Sequence, residues 1–286
     1  MSDERTAPPN LAADHAGGDE DEKVRAAWRS LGVTGARVRA VLLPIASFVV
    51  LLLVWHVGAR AIGIRALFPT PIDVLAEARR LIQSGDLLTH IVASMTRIIA
   101  GFALGSAIAV PTGLLMGSLP LVRSMLQAYI EFFRYIPALS LVTLAMIWFG
   151  IGEASKVFLI TYVTVFIVTI NTMAGVAAIP VAKLRAGRSL GATPRQMFVH
   201  VTLPASVPFI LTGMRLAMGA AFTTIVAAEM VAAQSGLGFL IFSSRLYMQT
   251  DAIFVAIVTL GLLGFVTDGV LRWVMSMVAG RYAPPL

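Results

Sequence analysis

The sequence predicts an all-α membrane protein with six transmembrane helices, and three observations support this. Of the 286 residues, 58% are hydrophobic and only 13% are charged, whereas a soluble domain is about half apolar and about a quarter charged. The mean hydropathy is +0.85. Six apolar stretches are long enough to cross a hydrocarbon core, which takes about 20 helical residues. Lipid offers no hydrogen-bond partners, so these stretches must form helices that satisfy their own backbone groups.

The apolar stretches place the six predicted spans and leave two short segments between them. The spans cover approximately 38–58, 89–117, 122–149, 155–178, 205–233 and 252–279. Pro137 interrupts the third span. Residues 72–83 predict an amphipathic helix that is too charged to cross the membrane. Residues 236–248 are too short to cross and predict a short helix at the outer surface.

Loop charges predict the orientation of the spans. Residues 1–22 carry seven acids against one base, and residues 1–37 predict a disordered cytoplasmic tail ahead of a transmembrane domain over 38–286. Basic residues collect in cytoplasmic loops, and the loop 179–204 is basic and contains no acid. Its cations are Lys183, Arg185, Arg188 and Arg195. Both termini are therefore predicted in the cytoplasm, and the net charge of +7 reflects topology rather than nucleic-acid binding.

The sequence lacks the motifs that enzymes of this size commonly carry. It has no cysteine, no G-x-x-x-x-G-K-[ST] phosphate loop and no H-E-x-x-H zinc motif, and its four histidines are dispersed. No catalytic residue, metal ligand or bound cofactor is predicted, and a membrane-embedded enzyme is disfavoured. If the protein moves a solute uphill, the energy must come from another subunit or from an ion gradient.

Seven charged residues fall in or near the predicted spans, where charge is costly and marks candidate functional sites. They are Arg97, Glu131, Arg134, Arg215, Glu229, Asp268 and Arg272. The candidates for the translocation path or its gate are Glu131, Arg134, Arg215 and Glu229. Structural alternatives remain open, because Glu131 and Arg134 are spaced to pair with each other. Arg97 and Arg272 are close enough to a span end to reach it. Arg215 and Glu229 lie too far apart on one helix to touch, so their partners must come from elsewhere.

The second span carries small residues at every fourth position: Gly101, Gly105, Ala109, Gly113 and Gly117. Such a stripe lets another helix approach closely. It is consistent with helix packing within the chain or with a moving interface between subunits.

The loop between the fourth and fifth spans resembles the EAA loop of ATP-binding-cassette (ABC) importer permeases of the type I fold. Residues 185–204 read RAGRSLGATPRQMFVHVTLP. The E-A-A slots hold Arg185, Ala186 and Gly187; the L-G-A core is Leu190, Gly191 and Ala192; and the final pair is Leu203 and Pro204. Arginine therefore stands in the usual acidic slot. The resemblance implies that this loop, 179–204, is a pair of short cytoplasmic coupling helices that docks on an ATPase subunit.

Other motifs are similar to the nitrate, sulfonate and taurine branch of these permeases. They are F-P-T-P at 68–71, H-x-x-x-S-x-x-R at 90–97, IWFGIGEASK at 147–156, A-A-E at 227–229 and G-L-G at 236–238. The similarity covers approximately residues 40–280.

The resemblance implies a permease of the bacterial inner membrane that imports a small solute by alternating access. The expected solute is an anion such as an alkanesulfonate, taurine or nitrate. The expected partners are a second copy of the chain, two cytoplasmic subunits that bind ATP and Mg²⁺, and an extracytoplasmic solute-binding protein. A secondary transporter driven by an ion gradient is the alternative, although no internal repeat typical of that class is evident.

Overall fold

The computed structural model describes residues 33–64 and 67–279, in which every regular element is a helix. The predicted tail over 1–37 falls mostly outside the described residues. The chain divides into two units, 1–63 and 64–286. The first unit contributes one long helix, α1 (Val33–Ile62), whose stretch Leu42–Ile62 is apolar enough to cross a membrane. This confirms a helix at the first predicted span.

The second unit begins with a short helix and contains the remaining spans. Its helices are α2 (Pro71–Gln83), α3 (Asp86–Ser118), α4 (Pro120–Phe133), α5 (Val142–Phe149), α6 (Glu153–Ala177), α7 (Val181–Ser189), α8 (Pro194–Met197), α9 (Leu203–Ala232), α10 (Leu237–Leu246) and α11 (Thr250–Ala279). A 3₁₀ turn, Ala138–Leu141, leads into α5, and a π-helical turn, Phe198–Thr202, joins α8 to α9.

The third predicted span is a broken helix. Helix α4 and the segment Ala138–Phe149 meet at an angle of 86°. Pro137 marks the break, with φ −62° and ψ 134°. A proline interrupts a helix because it lacks a backbone donor and disfavours the helical conformation of the residue before it. The Phe133 carbonyl accepts from the Tyr162 hydroxyl on α6 at 2.6 Å and from the Ile136 N–H at 3.0 Å. The described residues thus contain five membrane-crossing helices, or six if the bent pair is one span.

The small-residue stripe of α3 packs against α6 of the same chain. A Cβ atom added at Gly101 would lie 2.6 Å from Ile160 Cβ, and one at Gly105 would lie 2.5 Å from Thr164 Cβ. Gly113 and Gly117 meet α6 in the same way. The two backbones come close enough for the Thr161 hydroxyl to donate to the Gly101 carbonyl at 3.2 Å. Of the two interpretations of the stripe, packing within the chain is therefore confirmed.

Helix α9 completes a three-helix core with α3 and α6. The central side chains are Ile98, Phe102, Ala109, Ile160, Val168, Ala217, Met218, Ala221 and Ile225. Gly213 of α9 sits against Asn171 of α6, and Gly175 of α6 sits against Phe209 of α9. The core therefore depends on close backbone approach at both helix pairs.

The two predicted short helices are confirmed as α2 and α10. Helix α2 begins at a capping box in which Thr70 and Asp73 satisfy each other's backbone N–H groups, followed by Pro71 at the first helical position. Helix α10 follows Gly236, whose φ of +121° is a conformation that side chains other than glycine rarely adopt.

The close packing of α3 on α6 predicts opposite effects for two alanine substitutions. Gly105→Ala places a methyl group 2.5 Å from Thr164 Cβ, and we expect a loss of about 1–3 kcal/mol of stability from overpacking. Gly219→Ala on α9 meets nothing within 4 Å and should gain up to about 1 kcal/mol from helix propensity. Thermal unfolding of the purified protein in detergent measures both effects. Equal melting temperatures for the two variants would contradict this packing.

Candidate functional site

A buried arginine organises one end of the three-helix core. His90, Ser94 and Arg97 follow one another at four- and three-residue intervals, so they share one face of α3. The Arg97 side chain is only 4% exposed although it lies within a candidate membrane span. Its guanidinium is paired with carboxylates inside the chain, which favours a structural role over the snorkelling alternative. A guanidinium at this depth must be paired and hydrogen-bonded.

Arg97 binds carboxylates from two other helices. Its Nε and Nη2 donate to the two oxygens of Glu153, the first residue of α6, with Nη2 to Oε1 at 2.7 Å. Its Nη1 donates to Glu229 Oε1 of α9 at 2.7 Å. The same Nη1 donates to the Ser235 carbonyl at 2.6 Å, beyond the end of α9. One side chain therefore links α3 to the start of α6 and to the end of α9.

Glu229 is completely buried, and both of its oxygens accept hydrogen bonds. The Ser94 hydroxyl lies 2.9 Å from each oxygen. The Gly238 backbone N–H donates to Oε2 at 2.9 Å. A buried carboxylate with an ion partner and additional donors escapes most of the penalty of an isolated charge. Glu229 thus holds the segment after α9 in place.

Two backbone N–H groups of the segment 235–238 donate hydrogen bonds to side chains of α3 and hold the segment in place. The Leu237 N–H donates to Ser94 Oγ at 2.9 Å, and the Gly236 N–H donates to His90 Nδ1 at 3.0 Å. A Cβ atom at position 236 would overlap the Glu229 carboxylate, and one at 238 would lie 2.5 Å from the Val226 carbonyl oxygen. A side chain at either glycine of the G-L-G motif would therefore collide with Glu229 or with the backbone of α9.

Lys156 extends this ion network at the start of α6. Its ammonium group is 3.5 Å from Glu153 Oε1 and donates to the Gly152 carbonyl at 3.2 Å. The network (Arg97, Glu153, Lys156 and Glu229) therefore contains two cations and two anions. Because these charges balance, the network needs no further counter-ion at this end of the bundle.

The other charged candidates do not join this network. Arg215 of α9 makes two hydrogen bonds to Asp268 of α11, at 2.5 and 3.0 Å, and Arg272 lies 3.3 Å from the same carboxylate. These side chains are partly exposed, and Arg215 is 47% exposed. Two guanidinium groups share one carboxylate, so the cluster carries a net positive charge.

Glu131 and Arg134 lie at the end of α4, just before the break, but they do not pair with each other. Glu131 accepts from Gln127 Nε2 at 2.7 Å. Arg134 donates to the Tyr135 hydroxyl at 2.5 Å, and its guanidinium carbon lies 4.5 Å from the Tyr135 ring centre. The pairing that their spacing allows is therefore not adopted, because Arg134 lies at the bend and turns towards Tyr135.

The knob, residues 181–197, lies at the opposite ends of α6 and α9. It consists of α7, a turn at Gly191 with φ +73°, and α8. Thr193 caps α8 in a capping box with Gln196. Leu190, just before the turn, is 87% exposed. Helix α6 has 25 residues, so about 37 Å separates the knob from the ion network.

The predicted coupling residues all lie on the knob or just after it. Arg185, Ala186, Leu190 and Gly191 are exposed, and Gly187 and Ala192 are partly buried. Leu203 and Pro204 begin α9. Sequence reasoning identified Glu229 but did not select Ser94, which donates to it, or His90 and Glu153, which bind Gly236 and Arg97. The signal was present in three separate motifs, at 90–97, 147–156 and 227–238, and the structure brings all three together.

Apolar membrane-crossing helices, with a buried ion network at one end and a helical knob at the other, define a polytopic membrane protein of the transport class. The family described as binding-protein-dependent transport system inner membrane component matches residues 105–278. This is more than half of the chain, and the chain belongs to that family.

Curated relatives share most of the chain. A probable ABC transporter permease of Brucella melitensis is 42% identical over 71% of this chain and 83% of its own length. The taurine transport system permease of Escherichia coli K12 is 37% identical over 82% of this chain and 87% of its own length. The nitrate import permease of Synechocystis is 29% identical over 83% of this chain and 89% of its own length.

Solved structures agree on the fold. An inward-facing structure of the MetNI methionine ABC transporter matches with a TM-score of 0.57 and 18% identity, over 69% of this chain and 96% of that chain. The chain is thus a permease subunit of an ABC importer with the type I fold. These findings support an importer rather than the ion-gradient-driven transporter.

The ion network predicts a large difference between two conservative substitutions. Glu229→Gln keeps the shape of the side chain but removes the charge that pairs with buried Arg97, and we expect a loss of about 3 kcal/mol or more. Glu131→Gln removes an exposed charge and should change stability by less than about 0.5 kcal/mol. Thermal unfolding in detergent compares them. A Glu229→Gln protein as stable as the Glu131→Gln protein would show that the buried pair does not hold the bundle.

Proposed function

We propose that two copies of this chain form the membrane pathway of an importer for small anions in the bacterial inner membrane. Two separate ATPase subunits bind ATP and Mg²⁺ and drive alternating access. A solute-binding protein delivers the substrate from outside. One observation carries this proposal: a chain of this family has a preformed knob at one end of its helical bundle. An energy-supplying subunit can bind the chain at this knob.

The knob is the proposed coupling element. Its turn needs glycine, because a φ of +73° at Gly191 costs roughly 1–2 kcal/mol for an ordinary residue. The capping box at Thr193 fixes the second helix. The knob follows α6 after residues 178–180 and joins α9 through the π-helical turn Phe198–Thr202, so a force on the knob reaches the three-helix core through these two helices. The basic charge of residues 183–195 supports a cytoplasmic position for the knob and, with it, for both termini.

The substrate class follows from the relatives and from the charges at membrane depth. Taurine and nitrate are the solutes named for two relatives, and both carry a negatively charged oxyanion group. Arg134 and Arg215 are exposed, and partly exposed guanidinium groups within a membrane mark ion pathways. We assign these two arginines to the anion pathway, with Glu131 one turn from Arg134. Glu229 is assigned a structural role, because its carboxylate is buried and fully bonded.

Two substitutions at Gly191 test the coupling role. Asparagine tolerates positive φ, whereas valine does not. In proteoliposomes with the cognate ATPase and binding protein, Gly191→Val should lower substrate-stimulated ATP hydrolysis about tenfold, the equivalent of 1.4 kcal/mol. Gly191→Asn should stay close to the wild type. If the valine variant is fully stimulated, the knob is not the coupling element.

The same proteoliposomes test the substrate class. Labelled taurine, methanesulfonate and nitrate are offered one at a time, with uracil as an uncharged control. Uptake of at least one anion, dependent on ATP and on the binding protein, is the expected result. Uptake of uracil alone would contradict the anion assignment, and uptake without ATP would contradict the importer assignment.

A further inference from the structure

The knob presents an apolar tip surrounded by positive charge. Leu190 is 87% exposed, a larger fraction than for any other large apolar side chain in the described residues. The surrounding cations are Lys183, Arg185, Arg188 and Arg195, and all four are exposed. No acid occurs between Glu153 and Glu229. The knob therefore has a single charge sign around one protruding leucine.

The shape of this tip is fixed before any partner binds. Gly187 of α7 lies against the Met197 side chain of α8, so the two short helices touch. The Ala192 N–H donates to the Gly187 carbonyl at 3.1 Å, and the Gly191 N–H donates to the Arg188 carbonyl at 2.9 Å. These bonds close the end of α7 around the positive-φ turn. A preformed tip binds with less loss of conformational entropy than a flexible one.

We propose that the ATPase subunit receives Leu190 in an apolar pocket whose rim is acidic, and that a carboxylate of this rim binds Arg185. This inference rests on the coupling role proposed above and adds the chemistry of the partner. Protein interfaces typically place apolar side chains at the centre and polar ones at the rim. Opposite potentials across an interface select the right partner and exclude wrong ones. Arg185 is exposed on α7, five residues before Leu190, and a carboxylate is a strong hydrogen-bonding partner for a guanidinium group.

An anionic lipid surface is a competing partner for the same cations, but it explains less of the structure. Attraction to anionic headgroups depends on the number of basic residues near the membrane. It does not require a glycine turn with positive φ, a capping box, or two helices packed through Gly187. These features fix the position of Leu190 relative to the arginines, as recognition by one folded surface requires.

A charge reversal on the knob tests the proposal. The chain is placed in phosphatidylcholine nanodiscs, and the affinity of the cognate ATPase is measured between low and high salt. Arg185→Glu should weaken binding by more than about tenfold, because like charges across an interface cost several kcal/mol, and it should flatten the dependence on salt. Leu190→Ala should weaken binding without changing the salt dependence. Arg245→Glu, the same charge change on exposed α10 at the other end of the bundle, is the matched control and should bind as the wild type does.

The outcomes separate this inference from the proposed function. If Arg185→Glu binds normally at every salt concentration while Gly191→Val still uncouples, the knob docks but its partner is not acidic, and the inference is overturned. If neither variant has an effect, the coupling role itself fails. If Arg185→Glu has an effect only when phosphatidylglycerol is added to the nanodiscs, the cations serve a lipid surface and the inference is also overturned.

Discussion

The structure depends on one buried guanidinium that satisfies two carboxylates at the end of a membrane bundle. Arg97 is tolerated there only because Glu153 and Glu229 compensate its charge and because Ser94, Ser235 and Gly238 complete the hydrogen bonds. Each carboxylate comes from a different helix, so separating any of α3, α6 and α9 at this end would leave a charge unpaired. The three helices and the segment 235–238 are therefore expected to move as one body.

A group of helices that moves as one body suits transport in which a subunit that lies outside the lipid bilayer supplies the energy. The glycine contacts between α3 and α6 and between α6 and α9 extend this rigidity along the bundle. Residues 178–180 link α6 to the knob, and a π-helical turn links the knob to α9. We therefore expect a displacement at the knob to reach the ion network, about 37 Å away, through these two helices. The broken helix at Pro137 and the shared carboxylate of Asp268 lie outside this body, where charged side chains are partly exposed. Of the two arginines proposed for the anion pathway, Arg134 lies outside this body and Arg215 lies on α9, within it.

Much of the fold could be predicted from the sequence, because apolar length and glycine spacing are local signals. The long helices, α2 and α10 follow from them directly. The 86° bend does not, since a proline indicates a break but not its angle. The network was predicted only in part. Glu229 was a candidate because it is a charge in an apolar span, but its side-chain partners Ser94 and Arg97 lie 135 and 132 positions away and cannot be paired by spacing. The sequence also left two roles open for the glycine stripe of α3, and only the packing of α3 on α6 decided between them.

The most direct test of this central role for Arg97 is a double-mutant cycle with Glu229. Arg97→Met, Glu229→Met and the double variant are compared by thermal unfolding in the same detergent. If the pair holds the bundle end, each single variant loses stability because it leaves a buried charge without its partner, and the double variant is more stable than the sum of the two losses predicts. Strictly additive losses, or single variants that melt as the wild type does, would show that the bundle end does not depend on this interaction.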